Sequence, residues 1–148
     1  MVVLVPVGEE PNSEEAVQLA YEIAQKYDDT LVALHVIPNK EFAAYKESLT
    51  SLPEFDDYSF TQEADKAADI AEKILEIYLD DFDSTMVETR GRVGNHSSEI
   101  LYEADSLEPR FIVIGGRRKS PVGKAIFGNT IQDVLLNAQS PVVTTMRD

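Results

Sequence analysis

The feature that most narrows the fold of this chain is the alternation of two apolar patterns. Short β-branched and aliphatic runs recur at residues 2–7, 30–37, 84–89, 111–114 and 141–146. Between them, apolar residues fall at helical spacing: Ala16, Val17, Leu19, Ala20, Ile23 and Ala24, then Ala64, Ala67, Ala68, Ala71, Ile74, Leu75 and Tyr78. Shorter sets follow at Ile100, Leu101 and Ala104, and at Ile131, Val134, Leu135 and Ala138. Near-continuous apolar strands alternating with amphipathic helices predict a parallel sheet with helices on both faces, joined by right-handed crossovers. The expected order is β-α-β-(loop-α)-β-α-β-α-β, a three-layer α/β fold in a single domain over residues 1–148.

Local signals place the boundaries. Asn12 with Glu15, and Asn129 with Gln132, have capping-box spacing. Ser97 or Ser98 is expected to start the third of these helices. Residues 91–96 are expected as a turn, and Gly115-Gly116 as the stop of the fourth strand. Residues 38–60, with Pro38 and Pro53 and weak periodicity, are expected as a long, partly helical excursion.

Charge and composition exclude several classes. The chain has 148 residues, no cysteine, and 27 acids against 13 Lys and Arg, for a formal net charge of −14. Without cysteine there is no disulfide framework, thiolate metal site or thiol nucleophile. Residues 1–89 hold 21 acids and 5 bases, while residues 90–148 hold 6 acids and 8 bases. Such an acidic surface repels nucleic acid. The acids decorate helix faces, which suits solubility in a very salty cytoplasm. The opening Met1–Val7 lacks the charge and length of a signal peptide, and no apolar run approaches the ~18 residues of a membrane span. A cytoplasmic location is expected.

Ligands of doubly wound sheets bind beyond the carboxyl ends of the strands, where strand order reverses. Two glycine-bearing strand ends qualify, at Gly8 and at Gly115-Gly116. The second opens a loop with Arg117, Arg118, Lys119 and Lys124, then Gly128-Asn129-Thr130 at the start of a helix. A helix start and basic residues together are the parts of an anion cradle. A Walker loop fails here, because Arg118 stands where its first glycine belongs and Ala125 where its Ser or Thr belongs. A dinucleotide fingerprint fails after the first strand, where Glu9 and Glu10 follow a single glycine.

No nucleophile with a base is visible. Ser120 lacks an elbow pattern, so enzymatic activity is at most a slow ATPase. His35, within an apolar strand, is expected to be a hydrogen-bonded core residue, and His96 a surface residue near a helix start. The two make no metal signature. Asp28-Asp29 and Asp80, Asp81 and Asp83 are expected to be solvated helix ends, since they lack the calcium-loop pattern.

These residues resemble the universal stress protein family along the whole chain, from Val3-Leu4-Val5-Pro6-Val7 through Leu34-His35-Val36 to Ser140-Pro141-Val142-Val143. The form Gly-Gly-Arg-Arg-x-Ser-Pro-x-Gly-Lys-Ala-x-Phe-Gly is similar to versions from salt-loving archaea. The resemblance implies an adenine nucleotide alpha hydrolase-like sheet of order 3-2-1-4-5. It also implies an ATP or AMP site, with magnesium accompanying ATP. Its nucleotide-binding residues here are Pro6, Val7, Gly8, Val36, Gly115, Arg117, Arg118, Gly128, Asn129 and Thr130, with adenine near Val36 and phosphates near Gly115 and Gly128. The nucleotide-binding branch has Gly-x-x-Gly, nine residues, then Gly-Ser/Thr. Gly115 and Gly128 match it, while Arg118 replaces the middle glycine and Asn129 the Ser or Thr. Gly8 stands where ATP-binding relatives usually carry Asp. Two functions remain open: a nucleotide-binding stress-response protein, or a non-nucleotide interaction module, its pocket altered by Gly8 and Arg118, that binds a protein partner. In both, the apolar fifth strand at the sheet edge is expected to pair with its counterpart in a homodimer.

Overall fold

Five segments form one all-parallel sheet in the order β3-β2-β1-β4-β5. They are β1 (Val2–Pro6), β2 (Thr30–Pro38), β3 (Val87–Gly94), β4 (Phe111–Arg117) and β5 (Val142–Arg147). Four helices accompany them: α1 (Ser13–Tyr27), α2 (Phe60–Tyr78), α3 (His96–Leu107) and α4 (Asn129–Asn137). The computed structural model describes residues 1–8, 13–38, 60–117 and 128–147. The expected excursion at 38–60 and the cap at Asn12 fall largely or wholly outside them.

The two-residue period of a strand sorts its side chains between two cores. On one face Val3 and Val5 of β1, Leu31 and Ala33 of β2 and Val113 of β4 pack with Ala16, Val17, Ala20 and Ala24 of α1 and Ala71, Ile74 and Leu75 of α2. On the other, Leu4, Val32, Leu34, Val36, Ile112 and Ile114 pack with Ile100 and Ala104 of α3 and Ile131 and Val134 of α4. Val3, Leu4 and Val5 are all fully buried, which is why the central strand reads as an unbroken apolar run.

The helix over the β2–β3 side comes unusually close. A Cβ on Gly91 would lie 2.0 Å from the Ala64 carbonyl oxygen and 2.4 Å from the Ala68 nitrogen of α2. Gly91 therefore belongs to a strand and gives α2 room, and the run 91–94 is not the expected turn. β3 begins only at Val87, because Ser84–Met86 forms a short 3-10 turn. Asp83 caps that turn, its Oδ1 accepting from the Thr85 amide at 2.9 Å.

The charges of β3 are paired rather than loop-like. Glu103 of α3, almost buried, accepts from Arg90 Nη1 at 3.0 Å and from Arg92 Nη1 at 2.8 Å. Arg92 also donates to Glu99, and its guanidinium lies 4.4 Å from the Tyr102 ring centroid. This edge strand is blunted by charge, as exposed sheet edges usually are.

At the amino end of the sheet, Asp28 takes a left-handed conformation (φ 56°) that closes α1. Asp29 is then buried, not solvated as expected: Arg110 Nε donates to its Oδ2 at 2.7 Å and stacks 4.3 Å over Tyr27. The hydrogen bond from Arg110 holds the Asp29 carboxyl below the usual carboxylate range. Asp80 and Asp81 are exposed, as expected.

Candidate functional site

Strand order reverses between β1 and β4, which pair directly with Val3 opposite Phe111 and Leu4 opposite Ile112. The chain leaves β1 toward α1 on one face and β4 toward α4 on the other, so the carboxyl ends of these strands open a crevice. The two glycine-bearing strand ends singled out in the sequence are neighbours at this switch point.

The β1 wall is held by backbone polar groups. Val7 is buried; its amide donates to the Leu34 carbonyl at 2.8 Å, and its carbonyl accepts from His35 Nδ1 at 2.9 Å. A carbonyl cannot donate, so His35 carries its proton on Nδ1 in this bond. His35 is thus the hydrogen-bonded strand residue expected, although half-buried. The Gly8 amide donates to Ser13 Oγ at 3.3 Å, tying the strand end to the start of α1. Among the described residues an added Cβ on Gly8 would meet no atom within 4 Å. Pro6 ends the strand immediately before this segment.

The β4 wall runs further than expected. Gly115, Gly116 and Arg117 stay in the strand and pair with Thr145, Met146 and Arg147 of β5. A Cβ on Gly116 would come within 2.9 Å of Met146 Sδ, so the flexible Met146 side chain would have to shift to admit one. Arg118 lies outside the described residues.

The start of α4 differs from the expected capping box. Asn129 is the first helical residue and Gly128 is the N-cap, which has no side chain to cap the turn. The Gly128 carbonyl accepts the Gln132 amide at 3.0 Å. Gly128 and Asn129 are exposed and Thr130 half-buried. Among the described residues a Cβ on Gly128 would also meet nothing within 4 Å, and its φ of −64° suits any residue. Neither the described neighbours nor the backbone angle requires glycine at this point. A glycine N-cap brings no side chain of its own to the first turn, whose N–H groups and dipole favour an anion.

A polar bridge missed in the sequence supports this helix. Asn95, not Ser97 or Ser98, caps α3, its Oδ1 accepting from the Ser98 amide at 3.1 Å. Ser97 Oγ lies 2.9 Å from Asn95 Oδ1 and 3.0 Å from Asp133 Oδ2 of α4. The bridge ties the start of α3 to the middle of α4 across 36 residues, which local spacing does not reveal. Val36 packs in the core beneath these helices, and its carbonyl accepts from His96 Nε2 at 3.0 Å. His96 is exposed and is the first residue of α3 rather than its cap.

Among the described residues no group of three or more His, Asp or Glu side chains is placed to hold a metal ion. Among them, too, no helix is long and apolar enough to cross a membrane.

This architecture defines a doubly wound domain of the adenine nucleotide alpha hydrolase-like class, with its crevice between β1 and β4. The chain belongs to the universal stress protein family, whose sequence profile matches residues 1–145. Solved structures agree on the fold. A universal stress protein from Archaeoglobus fulgidus is 24% identical, with 97% of each chain covered and a TM-score of 0.62. Another from Archaeoglobus fulgidus, solved in complex with dAMP, is 19% identical, covers 97% of this chain and 96% of its own, and has a TM-score of 0.57. A universal stress protein in complex with cAMP is 16% identical over 99% of this chain and 96% of its own, with a TM-score of 0.63. A search of curated proteins found no match.

Proposed function

We propose that this protein is a cytoplasmic stress-response protein that binds an adenine nucleotide, ATP or AMP, in the β1–β4 crevice and acts as a homodimer. The observation that carries the reading is the start of α4 at Gly128, an N-cap without a side chain that neither its backbone conformation nor packing among the described residues requires. Gly115, Gly128, Asn129 and Thr130 hold the phosphates, with Arg117 and Arg118 supplying positive charge. Pro6, Val7 and Gly8 form the β1 wall, and Val36 marks the adenine side. Magnesium accompanies ATP through its phosphates. The adenine nucleotides bound by two structures of the same fold, dAMP and cAMP, support this ligand class.

The dimer forms through β5. Val142 to Met146 are only half-buried in the single chain, and these described residues carry none of the charge that blunts β3. A second reading, an interaction module without nucleotide, is favoured by Gly8 in place of the usual Asp. Exposed Leu135 and Leu136 on α4 also favour it.

Thermal unfolding with added AMP separates the two. Ligand at 100 times its Kd stabilises the native state by about 2.7 kcal/mol, which raises the Tm by roughly 5–10 °C for a chain of this size. A Tm indifferent to millimolar AMP and ATP in molar potassium chloride favours the interaction module.

A further inference from the structure

Glu63 is a buried acid that the site described so far leaves unused. It opens a stripe on α2, Glu63, Ala67 and Ala71, spaced four apart on the helix face turned to the sheet. Ala71 packs in the α1–α2 core, and Ala67 packs against Ile37 and Val93 toward the carboxyl ends of β2 and β3. One more turn in the same direction puts Glu63 at the edge of the sheet that also carries Gly8 and Gly115.

Glu63 is only 4% exposed, and its Oε2 is buried with no hydrogen-bond partner among the described residues. A buried carboxylate oxygen without a donor is costly. In native folds such a group calls for a specific occupant. A divalent ion does not fit, since among the described residues no second and third ligand accompany it. A carboxyl oxygen without a partner accepts hydrogen bonds, so its complement is an N–H or O–H donor.

We propose that Glu63 reads the base of the bound nucleotide by accepting a hydrogen bond from the exocyclic amino group of adenine. The inference rests on the nucleotide reading above. With phosphates at the start of α4 beside β4, the rest of the ligand extends over β1 toward β2, two strand spacings or about 10 Å away. α2 covers that side of the sheet. Gly8 lies on the path between, and among the described residues no atom stands within 4 Å of where its side chain would begin. A carboxylate accepts from the 6-amino group of adenine and repels the 6-oxo group of hypoxanthine. The site then selects AMP over IMP.

The test is titration calorimetry of the wild-type protein, Glu63→Leu and Glu63→Gln with AMP and with IMP, alongside the ligand-free Tm of each. Wild type should prefer AMP by at least about tenfold. Glu63→Leu should bring that ratio close to one, with a ligand-free Tm equal to or above wild type, because an unpartnered buried polar group has been removed. Glu63→Gln presents an N–H donor as well as an acceptor, so it should gain affinity for IMP specifically. An AMP preference unchanged in both variants overturns the role of Glu63 and leaves the nucleotide site standing. A Tm that falls in Glu63→Leu and is restored in Glu63→Gln overturns it too, by revealing a structural partner. Binding of neither nucleotide to wild type refutes the nucleotide reading and this inference with it.

Discussion

Replacing Gly91 with alanine probes the packing that sets the position of α2. The new Cβ would lie 2.0 Å from the Ala64 carbonyl oxygen, 2.4 Å from the Ala68 nitrogen and 2.6 Å from the Ala67 Cβ. An ordinary contact needs about 3.4 Å or more, so α2 must withdraw by more than 1 Å. Backbone atoms of a helix cannot rotate away as a long side chain can. Overpacking of this kind costs about 1–3 kcal/mol, occasionally more. Withdrawal also loosens Ala67 and Ala71, which are fully buried beneath the helix. We expect a loss of about 3 kcal/mol, read as a lower urea midpoint with unchanged slope and a Tm lowered by roughly 6–12 °C. Gly8→Ala and Gly128→Ala are the controls. Among the described residues their Cβ atoms meet nothing within 4 Å, and restricting the unfolded chain makes such changes neutral or stabilising by up to about 1 kcal/mol. If Gly91→Ala matched these controls within 0.5 kcal/mol (roughly the scatter of surface changes), the close approach of α2 to β3 would be refuted.

Three further outcomes follow from the packing and charge of the sheet. Because the folded Asp29 carboxyl is held below its ordinary value by the hydrogen bond from Arg110, its contribution to stability is present above about pH 4 and is lost as pH falls through the folded value; Arg110→Gln should lower the Tm at pH 7 and flatten its decline below pH 4 in a pH series. Glu103→Gln should destabilise by about 2 kcal/mol in urea unfolding, because one almost buried carboxylate serves both Arg90 and Arg92. Thr144→Pro in β5 should convert the dimer to monomer by light scattering, since proline removes a donor from an edge strand; a mass equal to one chain for the wild-type protein would remove the dimer from the account.

The layering was readable because both sources of it are local. Alternating buried strands and helical apolar faces predict the parallel sheet, and the structure has the strand order implied by the family resemblance. Boundaries failed where a tertiary partner outweighed local propensity. Gly91 and the arginines of β3 look like a turn until α2 and α3 are packed beside them. Gly115 and Gly116 look like a stop, yet β5 pairs with both. Asp29 looks solvated, and its partner Arg110 is 81 residues away. At the site, the glycines of both crevice walls and the helix start at Gly128 were visible as motif. The structure adds that Gly128 itself is the N-cap, where the sequence offered Asn129. Glu63 had a signal in its four-residue spacing to Ala67 and Ala71, but an acid at the head of an apolar stripe reads as the start of a helix.

The most direct measurement is calorimetric titration of the purified protein with AMP and Mg-ATP in molar potassium chloride, repeated with Gly128→Val. The account predicts saturable binding to wild type and binding weakened at least about tenfold in the variant, with an unchanged circular dichroism spectrum reporting that the variant is folded. Absence of heat with correctly folded wild-type protein, or equal affinity in Gly128→Val, would contradict a phosphate site at the start of α4.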